Sequence, residues 1–337
     1  MRIVVKYKSL WVAIVIAATL VGLYLYRFFA NDGELSYVAM NQLQQYAQGS
    51  LVGGGLLSLQ LGYPILNAVL YVAVVAVGGL LINKFTIQNN LYGEATKLPY
   101  IIYTLVCVMA LSAPIILMPA IAALLVTLSV TALYRARIER QSSSHLFQAV
   151  LCLGAVPLLY PGFALLLPLW ILALLITNTH SYRDLGMVLI AMVVPLALGI
   201  YLKWQFNSDV SIVEECSRLF ASTISRTPYG VDWLSASTLM VAIAVALSFM
   251  GLVKINDMSM RYSLRSLLKT SNIWLVSSLV LLALPGFGFE QIAIVATPAA
   301  MLLTNSVLFV RREISSYLLF GLLLLPFVVA LVVEAVL

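Results

Sequence analysis

Long runs of apolar residues, separated by short polar turns, make up most of the chain. Each run is close to the ~20 residues that a transmembrane helix needs. The runs are continuous and lack the period-two alternation of a β-barrel strand, so helices are the structure that satisfies their backbone in lipid. The pattern predicts an all-α, polytopic transmembrane helical bundle of about eleven spans, within a range of roughly 9 to 11. The predicted spans are 10–30, 62–83, 99–117, 118–134, 145–160, 161–177, 186–206, 233–253, 272–286, 290–310 and 315–337.

Charge gives the bundle an orientation. Only 9% of the residues are charged, against about 25% in soluble domains. With the N-terminus in the cytoplasm, 15 of the 19 Lys and Arg residues fall in inner segments, while eight of the 13 Asp and Glu residues fall outside. This asymmetry is the positive-inside pattern. It accounts for the net charge of +6 without a nucleic-acid partner. We therefore expect a multi-pass protein of the bacterial inner membrane.

Three polar segments interrupt the spans, and the whole of 1–337 reads as a single integral membrane domain. Segment 31–61 predicts a first periplasmic loop with an interfacial amphipathic helix. Segment 207–232 predicts a second periplasmic helix, which begins at the capping-box pattern Ser211-x-x-Glu214. Segment 254–271 is the longest basic cytoplasmic loop, and anionic lipid headgroups would attract it.

Asp32 and Glu34 form the most specific polar feature, directly after the first span. Their structural interpretation is that Asp32 caps the following helix and Glu34 suits the helix dipole. Their functional interpretation is a general base or a metal-binding carboxylate at the outer membrane face. The sequence leaves the cofactor open, with a divalent cation or none as the alternatives, and its three cysteines have no metal-site spacing.

Arg218 and Arg226 lie on the predicted outer side, against the orientation rule. Arg218 pairs with Glu214 at i, i+4 in the simplest interpretation. The alternative is that these arginines hold a lipid phosphate, which suits the forked donors of guanidinium.

The predicted spans themselves are nearly free of charge, which argues against a proton pump or an ion-coupled carrier. The sequence is still compatible with a facilitator lined by neutral groups such as Asn67, Gln148 and Asn305. We expect Tyr92, in an inner loop, to be a solvent-exposed turn residue like the asparagines beside it.

The region from about 83 to 206 resembles an uncharacterised family of polytopic inner-membrane proteins known mainly from Bacteroidota, a domain of unknown function. That family has no assigned activity to carry over. The resemblance rests on these stretches: Leu98-Pro99-Tyr100, Ala113-Pro114, Leu159-Tyr160-Pro161 and Tyr182-Arg183-Asp184-Leu185-Gly186.

More distantly, the chain resembles the C-type membrane glycosyltransferases, which use polyprenyl-phosphate sugars. The stretch carrying this likeness is Asn31-Asp32-Gly33-Glu34-Leu35 after an N-in span. The resemblance implies that Asp32 or Glu34 deprotonates an acceptor hydroxyl and that Arg218 or Arg226 faces the lipid phosphate. The chain departs from the family in lacking a large periplasmic domain and in spacing its acids as Asp-Gly-Glu.

Two functions follow as hypotheses. The first is transfer of a polyprenyl-phosphate-linked sugar at the periplasmic face. The second is a non-catalytic subunit of an inner-membrane export, translocon or envelope-assembly complex, because the spans offer much helix surface and few polar groups. Small residues such as Ala120, Ala122 and Ala123 would let partner helices pack closely. A transporter without mid-membrane charges ranks third.

Overall fold

The structure is a computed structural model that describes residues 52–92, 96–109, 116–138, 142–159, 163, 167, 182–205, 262–282 and 293–309. This part of the chain is helical and contains no β-strand. The prediction of an all-α fold is confirmed for these residues. Four predicted spans fall wholly or almost wholly outside them: 10–30, 161–177, 233–253 and 315–337.

The described part contains eight α-helices, numbered here in chain order. Five of them begin within a few residues of a predicted span, and α2 and α4 are long and apolar enough to cross a membrane. The helices are α1 (Gly53–Gly62), α2 (Pro64–Gln88), α3 (Leu98–Met109), α4 (Leu117–Ile138), α5 (Ser142–Leu159), α6 (Tyr182–Gln205), α7 (Tyr262–Leu282) and α8 (Ala296–Phe309).

Two boundaries differ from the sequence prediction. Helix α7 begins at Tyr262, so the second half of the segment read as a basic loop over 254–271 is helical. Pro157, expected in a turn, lies inside α5, two residues before its last residue. Proline at this position removes the hydrogen bond to the carbonyl of Leu153 and its ring crowds that carbonyl, and α5 ends two residues later.

Helices α4 and α8 form the centre of the described bundle. Helix α4 contacts α1, α2, α3, α5, α7 and α8, and α8 also packs on α3 and α7. Every residue from Ala293 to Asn305 is buried. A helix enclosed on all sides needs an apolar sequence all round, and Ala299, Ala300 and Leu303 supply it.

Side-chain contacts fix the relative directions of the helices. The Tyr71 hydroxyl on α2 reaches the backbone of Cys107 on α3. Seven residues later on α2, Gly78 lies against the ring of Tyr103, which comes four residues earlier on α3. Helices α2 and α3 are therefore antiparallel. Helix α4 runs in the same direction as α2. Gln60, just before α2, contacts the start of α4, and the Phe85 ring meets the Tyr134 ring edge to face near the C-termini of both helices.

Two glycine contacts let helices approach closely. Gly78 and Gly79 of α2 face the rings of Tyr103 and Tyr100 on α3. Gly154 of α5 lies against the α6 backbone, where an added Cβ would come 3.2 Å from the Met192 carbonyl oxygen and 3.3 Å from Pro195 Cγ. Small residues at such crossings are typical of helix packing in membranes.

The outer faces of α2 and α6 are apolar over most of their length. On α6 the exposed positions are aliphatic up to Ile200 and are followed by Tyr201, Trp204 and the terminal Gln205. On α2 the exposed positions from Ile65 to Leu80 are also apolar, whereas the buried face carries Asn67. A soluble amphipathic helix has the opposite arrangement, and exposed apolar area of this extent marks a lipid or protein contact surface.

Candidate functional site

The four residues predicted to act on a substrate lie outside the described part of the chain: Asp32, Glu34, Arg218 and Arg226. Their roles stay predictions. Within the described residues, no group of three or more His, Cys, Asp or Glu side chains comes together in a metal-binding arrangement. The polar groups that the structure does bring together are neutral hydroxyls and amides in the interior of the bundle, at three levels along it.

At the first level, Gln60 joins three helices. Its Oε1 accepts a hydrogen bond from the Asn67 amide of α2 at 3.3 Å and from the backbone N–H of Ile116, just before α4, also at 3.3 Å. The N–H groups at a helix start have no intrahelical acceptor, so Gln60 caps α4 from another helix. The predicted topology places both 31–61 and the turn before α4 outside, and this contact brings the two together.

At the second level, Thr127 of α4 and Thr297 of α8 lie 2.8 Å apart between their hydroxyl oxygens, and both are fully buried. Thr127 already donates its proton to the Ala123 carbonyl at 2.9 Å. A hydroxyl has one proton, so Thr297 is the donor of the pair. The Tyr103 hydroxyl lies beside Thr127 and beside the Cys107 thiol.

We expect Thr127→Val and Thr297→Val each to destabilise the protein by about 0.5–2 kcal/mol, since interhelical hydrogen bonds in membranes have this size. A double-mutant cycle in thermal unfolding of the detergent-solubilised protein measures the pair's interaction energy. Thr131→Val is the matched control, because the Thr131 hydroxyl bonds only to the Leu128 carbonyl of its own helix. Additive effects of the two valines would contradict a direct bond.

At the third level, the end of α2 turns the chain back into the bundle. Asn90 adopts the left-handed conformation at φ 47°, its N–H donates to the Ile87 carbonyl, and the Leu91 N–H donates to the Thr86 carbonyl. These two bonds form a Schellman motif, which closes a helix and redirects the chain. As a result Leu91 and Tyr92 are buried.

Tyr92 connects this turn to α8. Its hydroxyl donates to the Met301 carbonyl at 2.9 Å and interacts with the Thr304 hydroxyl. Burial raises the pKa of the Tyr92 phenol, and the hydrogen bond with Thr304 offsets part of that rise. From α7, the Ser271 hydroxyl approaches Met301 Sδ at 3.9 Å. The predicted topology puts 84–98, the start of α7 and the end of α8 on the inner side, and these contacts join all three.

The structure corrects the expected exposure of Tyr92 and distinguishes among the three amides expected to line a channel. Tyr92 was expected to be solvated, but it is 8% exposed, because the Schellman turn directs it inward. Of the three amides expected in a neutral channel lining, Asn67 and Asn305 are fully buried, whereas Gln148 is exposed and pairs with His145. Thr127 and Thr297 were missed, although a threonine within an apolar run is a visible signal.

The arrangement can hold neutral groups by hydrogen bonds, but its described members supply neither a nucleophile with an adjacent base nor a charged clamp. Phenol, hydroxyl and amide groups at these levels position helices against one another. The chain matches no family model, no curated protein sequence and no solved structure.

Proposed function

We propose that the chain is a multi-pass inner-membrane protein that handles a polyprenyl-phosphate-linked sugar at the outer face of the membrane. The observation that carries the membrane assignment is the apolar outer face of α2 and α6. Their exposed positions are apolar from Ile65 to Leu80 and from Leu189 to Trp204, with Ile65, Leu80, Ile190 and Val193 each more than half exposed. Water would strongly disfavour such faces, whereas lipid tails would not.

Helix direction supports the outer-face placement of the acids. Gln60, at the end of segment 31–61, contacts the start of α4 at the predicted outer end, and Tyr92 contacts α8 at the opposite end. Basic residues concentrate at that opposite end: Lys84 lies near the C-terminus of α2, Lys97 directly precedes α3 and Lys269 lies in the first half of α7. The positive-inside rule makes this end cytoplasmic. Asp32 and Glu34 then fall on the periplasmic side.

In the proposed mechanism, Asp32 or Glu34 accepts a proton from the acceptor hydroxyl as it attacks the sugar's anomeric carbon. The sugar–phosphate bond breaks, and the polyprenyl phosphate leaves. Arg218 or Arg226 binds that phosphate and stabilises its charge. The buried hydroxyl and amide contacts of α2, α4 and α8 keep the scaffold rigid beneath this reaction.

We expect Asp32→Asn and Glu34→Gln to abolish transfer while leaving the amount of protein in the membrane unchanged. The reason is that each substitution removes a carboxylate and keeps the side-chain shape. Asp184→Asn, in the first turn of α6, is the control and should retain activity. The measurement is incorporation of radiolabelled sugar in membranes that contain each variant. Full activity in both carboxylate variants would refute the proposed chemistry.

A second candidate is a non-catalytic subunit of a larger inner-membrane assembly, and one observation favours it. Helix α6 packs mainly on α5 and presents an apolar face from Leu189 to Trp204, which a partner's helix could cover. Native mass spectrometry after gentle extraction separates the two candidates. A retained polyprenyl phosphate supports the transferase. A stoichiometric protein partner without that lipid supports the subunit.

A further inference from the structure

The side-chain amide of Asn305 is buried inside the bundle. The residue is 0% exposed, and neither its Oδ1 nor its Nδ2 has a hydrogen-bond partner in the part of the chain that the structure describes. Burying an amide without partners is strongly unfavourable, because it gives up its hydrogen bonds to water and gains none in return. The stretch from Ala293 to Asn305 is buried throughout, so the Asn305 amide does not lie at the protein surface.

The neighbours of Asn305 on α8 make polar contacts. Met301 lies one helical turn earlier on the same face of α8, and its backbone carbonyl accepts from Tyr92 while its Sδ meets Ser271. Thr304 is the preceding residue and contacts Tyr92. On α7, directly after Ser271, Asn272 is 7% exposed and its Oδ1 is another buried acceptor without a partner.

We propose that Asn305 is the anchor of a binding site for an ordered water molecule, between α7, α8 and the turn that carries Tyr92. A full amide needs a ligand that both donates and accepts hydrogen bonds. Water does both, and it is the smallest molecule that can, which suits a site enclosed by helices. Buried waters usually make about three hydrogen bonds. Tyr92, Thr304 and Asn272 carry the polar atoms from which the remaining bonds would come.

This site does not depend on the proposed transferase activity. It would hold α7 and α8 together at the inner end, as the Thr127–Thr297 pair holds α4 and α8 further along the bundle. The inference can therefore fail while the proposed function stands, and the reverse is also true.

X-ray radiolytic footprinting of the full-length protein in detergent tests the site, because hydroxyl radicals formed from a bound water oxidise the side chains next to it. Met301 is the reporter and Met118 of α4 is the matched control, since both are 0% exposed. We expect Met301 to gain a sulfoxide oxygen several-fold faster than Met118. Equally slow oxidation of the two methionines would overturn the proposal.

Asn305→Leu, which keeps the approximate shape and removes the amide, supplies the second arm. We expect Met301 oxidation to fall to the Met118 rate in Asn305→Leu but not in the apolar control Leu303→Met. If Met301 oxidation is unchanged in Asn305→Leu, the water is not held by Asn305 and the assignment is wrong. A misfolded variant is recognised because oxidation of both methionines rises together.

Discussion

Replacing Gly78 by alanine should destabilise the protein by about 1–3 kcal/mol, the usual size of an overpacking effect. A Cβ at position 78 would overlap the Tyr103 hydroxyl and come within 2.7 Å of its Cζ. The ring is fully buried, so it has no space in which to retreat. Gly79→Ala should act in the same direction, because its Cβ would lie 2.7 Å from Tyr100 Cδ2. Thermal unfolding in detergent measures both effects.

Gly186→Ala is the matched control for this prediction. Position 186 lies in α6 and has no atom within 4 Å of an added Cβ, so alanine there should be neutral or stabilising through its better helix propensity. Adding Tyr103→Phe to Gly78→Ala should recover part of the lost stability, since it removes the nearest overlapping atom. If Gly78→Ala and Gly186→Ala unfolded at the same temperature, α2 and α3 would not approach as closely as the structure has them.

An arginine in place of Val193 should impair membrane integration strongly. Val193 is 58% exposed at the middle of α6, and a charged side chain at the centre of a membrane helix costs about 2.5–3.5 kcal/mol on the insertion scale. The fraction of protein that resists alkaline extraction from membranes measures the effect. We expect that fraction to fall several-fold.

Two variants make the Val193 result specific. Val193→Ala keeps the position apolar and should integrate normally. Trp204→Arg places the same charge near the end of α6, where a long basic side chain can reach the headgroups, so it should also integrate. Normal integration of Val193→Arg would mean that this face of α6 is not in contact with lipid.

Much of the helical architecture could be predicted from the run lengths alone. The apolar run over 118–134 became α4 within a few residues at either end. The prediction failed where polar residues continue a helix: α7 begins at Tyr262 among serines, an arginine and a lysine. Helical hydrogen bonds do not require apolar side chains, so a helix can begin before its apolar run does.

The interior polar contacts were much less predictable. Asn67 and Asn305 attract attention in the sequence because an amide in an apolar run is costly, and both are buried. The pairing of Thr127 with Thr297, 170 residues apart, depends on how α4 and α8 cross. No local pattern encodes that crossing.

The sequence by itself determined that the described chain is helical, where most of its helices lie and which residues are too polar for an apolar run. These properties follow from side-chain chemistry and from spacing over about 20 residues. The tertiary structure alone decided that Tyr92 turns inward to meet α8, that Gly78 and Gly79 make room for two tyrosine rings and that the Asn305 amide is enclosed. Each of these depends on which helix lies beside which, and packing between distant segments sets that arrangement.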